Sequence, residues 1–395
     1  MDRVLISDLR SCRVRLQKGM VIIVLSCMVA ATGCRADSME TATEIVIKEE
    51  KVTSTDQPTV MPAATETAAV MPTATETPLP ATDTPIPEPT WLRLDAVADL
   101  EGSTGPVYSL DWSPDGKVLA SAGYSQVNLW QDGWEQTSLP GHTSYVWAVK
   151  WSPDGSLLAT AGQDRKLIIW DSANQEQVAS LGEMFIFSIA WSPGGERVAT
   201  GTSRGQVQIW DLQTGEMIKE FKPREISESI SLGWSPDGKF IAEGLLNGDI
   251  VIWDAESGRA VTTISGYTNR RSDVNGVAWS SDGELLATAH QDGPIRLWET
   301  NNWELQQEMP GHGGWARGVA WSPQGKLLAT TDSDGRLVVW DVDSGERVAE
   351  FPRRSQPIWS VAWSADGGYL AAGSGVYDNS TIGGHVFILE APQEP

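Results

Sequence analysis

Cysteine and histidine are both scarce in this sequence, and each scarcity excludes a class of site. The three cysteines, Cys12, Cys27 and Cys34, all fall within the first 34 of 395 residues. The rest of the chain therefore forms no disulfide and offers no thiolate to a metal. No pair among the four histidines has metal-ligand spacing, and neither a Gly-rich phosphate loop nor a Gly-x-Ser-x-Gly elbow occurs. We therefore predict a non-enzymatic protein that uses no metal and no cofactor.

Positive charge and large apolar residues are unevenly distributed along the chain. The net charge of −23 divides into +3 on residues 1–34, −7 on residues 35–90 and −19 on the remainder. Because a chain with this much negative charge repels phosphate backbones, we expect no nucleic-acid partner. All 19 tryptophans lie at or after Trp91, so we expect the packed core to begin there.

The first 34 residues predict export from the cytoplasm. Several basic residues precede an apolar run, Met20 to Ala31, that is shorter than the ~20 residues of a membrane-spanning helix. The stretch "AATGC" at 30–34 resembles the cleavage box of bacterial lipoproteins, although Ala31 stands where that family usually has Leu. The resemblance implies a signal peptide over 1–33, a lipid on Cys34, and an exported protein anchored to the cell membrane or cell surface. An uncleaved anchor and ordinary secretion are the alternatives.

Residues 34–90 read as a linker. They are rich in Thr, Pro, Ala and Glu, and they contain a near-duplicate, "VMPAATETAA" and "VMPTATETPL". Few large apolar residues occur to offset the entropy of ordering, so we expect a disordered tether. A flexible chain of this length would reach roughly 40 Å.

A phrase of about 40 residues recurs seven times from residue 106 onward. Each copy has a Trp followed by a Ser-Pro-Asp-Gly-like turn, which is typical of two strands joined by a tight turn. In six copies a second Trp follows, ending an alternating β-branched run, and a further strand completes four strands per copy. The first Trp of each copy is Trp112, Trp151, Trp191, Trp234, Trp279, Trp321 and Trp363.

Thin four-stranded sheets cannot bury both faces alone, so the copies must stack on one another. The last copy lacks a fourth strand, while "WLRLDAV" at 91–97 is a strand without a sheet. Pairing 91–97 with the last strand, 385–392, would remove two exposed edges. We predict an all-β fold over 91–395: a seven-bladed β-propeller of four-stranded antiparallel blades, closed by the N-terminal strand.

These residues resemble the WD-repeat family of β-propellers. Trp-Asp ends the third strand in four copies, and Gly-His occurs at 141–142 and 311–312. The resemblance implies a structural relay of His, Thr, Asp and Trp inside a blade, rather than a catalytic set. Two copies contain all four residues of this relay, and a third copy keeps Thr288, Asp292 and Trp298 without the His. The complete relays are His142, Thr160, Asp164 and Trp170, and His312, Thr330, Asp334 and Trp340. The other two histidines, His290 and His385, are interpreted as isolated surface or strand residues.

Positions four and six residues before each repeat Trp vary in chemistry, whereas those nearer the Trp are mostly small or aliphatic. In a propeller the variable positions fall near the mouth of the central channel. Their aromatic and Arg side chains are the types that dominate protein interfaces. We predict a partner-binding funnel formed by Tyr108, Tyr145, Trp147, Phe187, Trp315, Arg317 and Trp359. Alternatively, these side chains pack between loops and remain half-buried.

Three functions are open from the sequence. The first is a non-catalytic scaffold at the cell envelope that binds a protein or peptide through the propeller face. The second is an extracytoplasmic hydrolase or lyase, or a glycan-binding propeller. An enzyme would need convergent carboxylates at the channel mouth, for which only Glu228 and Asp273 fit. The third is envelope assembly, in which the propeller docks onto membrane machinery.

Overall fold

The computed structural model describes residues 15–17, 20–22, 91–103, 105–223, 227–265, 273–376 and 383–393. By contacts the chain divides into two units, Met1–Thr82 and Asp83–Pro395. Within the first unit, strands Arg15–Gln17 and Met20–Ile22 pair antiparallel. The rest of the predicted signal peptide, the predicted lipidation site Cys34 and the predicted linker lie outside the described residues.

Seven four-stranded antiparallel blades make up the second unit, which confirms the predicted fold class. Each blade runs from an inner strand to an outer strand. The strands of blades 1 to 3 are Ser109–Trp112, Leu119–Ala122, Val127–Trp130 and Gln136–Leu139; Val146–Trp151, Leu157–Gly162, Leu167–Asp171 and Gln177–Leu181; and Ile186–Trp191, Arg197–Thr202, Val207–Asp211 and Glu216–Phe221.

Blades 4 to 6 repeat this pattern without change of order. Their strands are Ser229–Trp234, Phe240–Leu245, Ile250–Asp254 and Ala260–Ile264; Val274–Trp279, Leu285–His290, Ile295–Glu299 and Leu305–Met309; and Ala316–Trp321, Leu327–Asp332, Leu337–Asp341 and Arg347–Phe351. The only helical element among the described residues is one 3-10 turn, Asp132–Trp134, in blade 1.

Blade 7 is assembled from both ends of the propeller. Its strands Ile358–Trp363, Tyr369–Ser374 and Gly384–Glu390 are joined by Ala96–Ser103, which pairs antiparallel with Gly384–Glu390. The predicted closure by the N-terminal strand is therefore confirmed, but its position is corrected from 91–97 to 96–103. The preceding Leu92–Arg93 instead adds a short parallel strand to the outer edge of blade 6, and the Arg347 guanidinium lies 4.7 Å from the Trp91 ring centroid.

The tight turn after each inner strand is fixed by its own side chains. In blade 1 the hydroxyl of Ser113 donates a 2.6 Å hydrogen bond to Asp115, whose carboxylate also accepts from the N–H of Lys117. Gly116 closes the turn at φ 71°, a region that favours glycine. These bonds hold the pKa of Asp115 below its ordinary value. The same Ser–Asp bond recurs in blades 2, 4, 5 and 7.

Apolar side chains are buried between neighbouring blades, as the repeat requires. One cluster joins Val127 and Leu129 of blade 1 to Val149, Leu158 and Trp170 of blade 2. Another joins blades 7 and 1 and so completes the ring. The inner-strand Trp also bonds across blades, since the indole N–H donates to a carbonyl of the preceding blade in four pairs: Trp191 to Lys150, Trp279 to Gly233, Trp321 to Ala278 and Trp363 to Ala320.

Candidate binding site at the channel mouth

Blade 2 contains a buried hydrogen-bond chain of the predicted composition. The indole N–H of Trp170 donates to the Thr160 hydroxyl at 2.8 Å, and that hydroxyl lies 2.8 Å from Nε2 of His142. Nδ1 of His142 lies 2.9 Å from the Asp164 carboxylate. A neutral His that donates from Nδ1 satisfies every member. Burial raises the pKa of Asp164, but hydrogen bonds from His142 and from the N–H of Thr143 outweigh it, so the pKa lies below its ordinary value.

Blade 6 has the same chain with a different carboxylate. Trp340 donates to the Thr330 hydroxyl at 2.7 Å, and His312 contacts that hydroxyl with Nε2. The prediction of Asp334 is wrong, because Nδ1 of His312 meets Asp332 at 2.9 Å. Asp332 stands two residues after Thr330, where blade 2 has Gly162 and no side chain. Asp334 instead contacts Arg353, with Oδ2 and Nη2 separated by 3.6 Å.

Blade 5 shows what the sequence prediction missed. His290 also stands two residues after the strand Thr, and its Nε2 lies 2.8 Å from the Thr288 hydroxyl to which Trp298 donates. His290 is the last residue of the strand Leu285–His290, as one of its two interpretations had it, but its buried side chain bonds to Thr288, so the interpretation as an isolated residue is wrong. Burial and the neighbouring Arg296 lower the pKa of His290 to about 3. Asp292, which the resemblance placed in this relay, forms an ion pair with Arg296 at 2.8 Å, and its negative charge partly offsets the lowering of the His290 pKa.

The fourth histidine, His385, lies in the strand Gly384–Glu390, but it is not isolated. Nδ1 of His385 lies 2.8 Å from Asp99 of the closing strand, and its ring stacks on Phe387. His385 therefore helps to attach the closing strand to blade 7.

All seven predicted partner-binding residues lie at one end of the inner strands, and we call this set the channel mouth. Five of them, Tyr108, Trp147, Phe187, Arg317 and Trp359, line a central cavity of about 390 Å³. Corresponding positions of all seven inner strands line this cavity, so the inner strands begin at the same end of the ring. Tyr145 and Trp315 directly precede the inner strands of blades 2 and 6.

The aromatic rings of the channel mouth pack on one another. Trp147 stacks on Phe187 with centroids 4.4 Å apart, and Tyr108 meets both Tyr145 and Trp359 edge to face. Apart from exposed Trp315, the seven side chains are half-buried, as the alternative reading of the sequence had it. The packing makes the surface rigid, so little side-chain entropy is lost when a partner binds.

Three exposed aromatic side chains surround this rigid centre: Trp315, Phe185 and Tyr124, with exposed fractions of 48%, 36% and 44%. Sequence reasoning did not select Tyr124, which lies in the turn after the second strand of blade 1. Its ring packs on Tyr145 at 4.8 Å. The position of Tyr124 in this turn varies in chemistry between the copies, as the predicted positions of the inner strand do. That variation is the signal by which the sequence could have identified it.

Carboxylates occupy the other side of the mouth. Glu228 and Asp273 lie at equivalent positions, directly before the inner strands of blades 4 and 5. Burial raises the pKa of Asp273, with Arg317 partly offsetting this effect and the like charge of Glu228 adding to it. The charges of Glu228, Asp273 and Arg317 are therefore close enough to influence one another.

The part of the chain that the structure describes contains neither a cluster of metal ligands nor a membrane-spanning helix. Among those residues, no group of three or more His, Cys, Asp or Glu side chains is arranged to hold a metal ion. Within the same ranges, no helix has the length and apolarity needed to cross a bilayer.

A family model describing the IFT122 first β-propeller matches residues 106–376, which is more than half of the chain. The matched range begins just before blade 1 and ends within blade 7. Propellers of this type are generally non-enzymatic, and propeller domains generally bind protein partners. No curated protein matches the chain. With seven blades of the repeat and this match over most of the ring, the chain belongs to the family of the IFT122 first β-propeller.

Proposed function

We propose that this propeller is a non-catalytic scaffold that binds a protein or peptide partner through the channel mouth. The observation that supports the proposal most is the rigid aromatic network around Arg317, with Trp315 exposed beside it. Aromatic and Arg side chains held in fixed positions are the usual centres of binding energy in protein interfaces. The rings that already stack on one another offer edges and one exposed indole, which favours a protein partner over a sugar.

The proposal includes a location outside the cytoplasm. A lipid on Cys34 would anchor the chain to a membrane, and the Pro-rich segment would hold the propeller away from that surface. The support is the basic and apolar start of the chain and the "AATGC" box. Metabolic labelling with a clickable fatty acid tests it: label on the wild type and none on Cys34→Ser is the expected result. Equal label on both chains would contradict lipidation at Cys34.

The binding experiment uses the full chain in its native membrane. Crosslinking followed by mass spectrometry identifies proteins joined to the propeller, and the same experiment is repeated with Trp147, Trp315 and Trp359 all changed to Ala. We expect the crosslinked partner to be lost from the triple variant. Trp303, which lies in the turn between the third and outer strands of blade 5, provides the control Trp303→Ala, which should retain the partner. Equal capture by wild type and triple variant would contradict the proposal.

The rival function, a hydrolase or lyase, has one observation in its favour: two neighbouring carboxylates, Glu228 and Asp273, with a raised pKa on the second. A screen of glycan and ester substrates separates the two functions. We expect no turnover by the wild type. Turnover that Glu228→Gln abolishes would establish the rival. Docking onto membrane machinery is a form of the scaffold function, and the same crosslinking experiment would identify such a partner.

A further inference from the structure

Arg317 is the best-positioned charged group at the channel mouth. It belongs to the inner strand of blade 6, and its guanidinium carbon lies 4.5 Å from the Trp359 ring centroid and 5.1 Å from that of Trp315. Its Nη1 donates a long hydrogen bond of 3.4 Å to Oδ1 of Asn275, whose own amide N–H donates to the carbonyl of Ala316 at 2.8 Å. Contacts on two aromatic rings and this amide leave the guanidinium little freedom to move.

Hydrogen bonding compensates the positive charge of Arg317 poorly. Nε is buried and makes no hydrogen bond with any described residue. Burial lowers the pKa of Arg317 from its ordinary value, and Asp273 only partly offsets the effect. Removing a cation from water is unfavourable unless an anion or several strong hydrogen bonds replace the lost hydration. A ligand that brings an anion to this guanidinium would supply both.

The cavity beside Arg317 has the size and the lining to hold one anionic group of a ligand. It holds about 390 Å³, and its only charged lining residues in the described chain are Arg317 and Lys150. Lys150 already pairs with Asp111 at 2.9 Å, which leaves Arg317 as the cation for a ligand. Apart from the amide of Asn275 and two glycines, the rest of the lining is aromatic, aliphatic or hydroxyl-bearing. A single side chain or chain end of a peptide fits this volume.

Charges outside the lining restrict the ligand further. Glu228 and Asp273 do not line the cavity, and at the rim they would repel a group that carries several negative charges. The net charge of the propeller is screened over roughly 8 Å at physiological salt, so the groups nearest the cavity decide what enters. A carboxylate matches these conditions better than a phosphate does, since it carries one charge and fits the planar edge of a guanidinium.

We infer that the channel mouth accepts a single carboxylate of the partner, an acidic side chain or a carboxyl terminus, which bonds to Arg317 between Trp315 and Trp359. This inference rests on the proposed function, because it names the chemistry of the partner segment at the same site. Arg317 would be the residue that selects an acidic anchor, and the aromatic rings would hold the rest of the segment.

Pools of short random synthetic peptides test the inference on the full chain. Four pools combine a free or amidated carboxyl terminus with the presence or absence of Asp and Glu. Bound peptides are recovered by size exclusion and identified by mass spectrometry, and the strongest binders are resynthesised with the carboxylate changed to the amide. We expect binders only from pools that contain carboxylates, and we expect the amide versions to bind at least about tenfold more weakly. The active pool distinguishes a side chain from a terminus.

Substitutions show which residue binds the carboxylate of the peptide. Arg317→Gln should weaken carboxylate peptides at least about tenfold and leave amide peptides unchanged. Arg165→Gln is the matched control, since Arg165 is exposed over Phe185 outside the cavity and should bind like wild type. The comparison of acid and amide peptides on the wild type needs no variant, so it holds even if Arg317→Gln fails to fold.

The outcomes separate the two proposals. If peptides bind in a way that Trp315→Ala weakens, but acids and amides bind equally, the carboxylate inference is wrong and the proposed function stands. If no pool yields a binder on the folded chain, both are contradicted. If the binders are recovered unchanged on Arg317→Gln, the carboxylate site is not at Arg317.

Discussion

Glu243→Gln should stabilise the propeller above neutral pH, because the wild-type carboxyl group is wholly buried in the second strand of blade 4. Its Oε2 accepts a 2.8 Å hydrogen bond from the indole N–H of Trp253, in the place where other blades use a Ser or Thr hydroxyl. Burial raises the pKa of Glu243 from 4.5 to about 7, although hydrogen bonds lower it in part. Gln keeps an acceptor for Trp253 and carries no charge at any pH.

The sign and size follow from proton binding. The folded pKa lies above the unfolded value, so the folded state binds the proton more tightly, and stability rises as pH falls from about 7 to about 4.5. A shift from 4.5 to about 7 corresponds to about 3 kcal/mol, at roughly 1.4 kcal/mol per pKa unit. Glu243→Gln should therefore be more stable than wild type by up to about 3 kcal/mol at about pH 8, and the difference should vanish near pH 4.5.

Urea unfolding followed by tryptophan fluorescence, at a series of pH values, measures this difference. Glu183→Gln is the control, because Glu183 is exposed in the loop before blade 3 and its change should leave the stability curve close to wild type at every pH. Parallel curves for wild type and Glu243→Gln from about pH 5 to 8 would refute the assignment of a buried, pH-sensitive carboxyl to blade 4.

Two further substitutions test the relay and the channel mouth. Thr330→Val leaves the indole N–H of Trp340 and Nε2 of His312 without their shared hydroxyl, so the free energy of unfolding in urea should fall by about 2–4 kcal/mol. Thr137→Val on an exposed strand is the control, and an equal fall for both variants would contradict the relay. Gly162→Ala places a Cβ 2.0 Å from the carbonyl oxygen of Tyr145, so we expect a loss of about 2 kcal/mol or more and a displaced Tyr145. An unchanged unfolding midpoint would contradict that close approach.

The repeat made the seven-bladed ring predictable from the sequence. For the closure of the ring, the sequence predicted that an N-terminal strand completes the last blade, but not which residues form that strand. The last copy lacks a fourth strand, and an unpaired strand precedes the first copy. Pairing the two completes the last blade and leaves neither edge exposed. The exact register did not follow, because both 91–97 and 96–103 alternate apolar and polar residues. The structure uses the longer segment for blade 7 and leaves Leu92–Arg93 on blade 6, a contact between elements far apart in sequence.

The errors in the relay have one physical cause. Blade 2 has Gly162 two residues after its Thr, so its carboxylate must come from Asp164. Transferring that spacing to blade 6 selected Asp334, although Asp332 occupies the position of Gly162 and reaches His312. His290 occupies the same position in blade 5. Which side chain completes a relay depends on the three-dimensional space beside the Thr, which spacing in one copy does not reveal for another.

The predicted funnel residues do meet at one end of the ring, because the inner strands share one direction. Sequence could not show that Arg317 would lie against both Trp315 and Trp359, since these rings come from a loop and from the next blade. Nor could it show that Asp273 and Glu228 would lie outside the cavity lining.

We expect the blades, and with them the channel mouth, to be stable only as a ring closed by the chain's own N-terminal strand. The most direct measurement compares urea unfolding of the chain with and without residues 91–103. Without them, Val386 and Ile388 of blade 7 lose their partners on Leu100 and Ala98, and we expect a loss of several kcal/mol, or no cooperative transition at all. An unfolding midpoint that stays the same after the deletion would contradict the account.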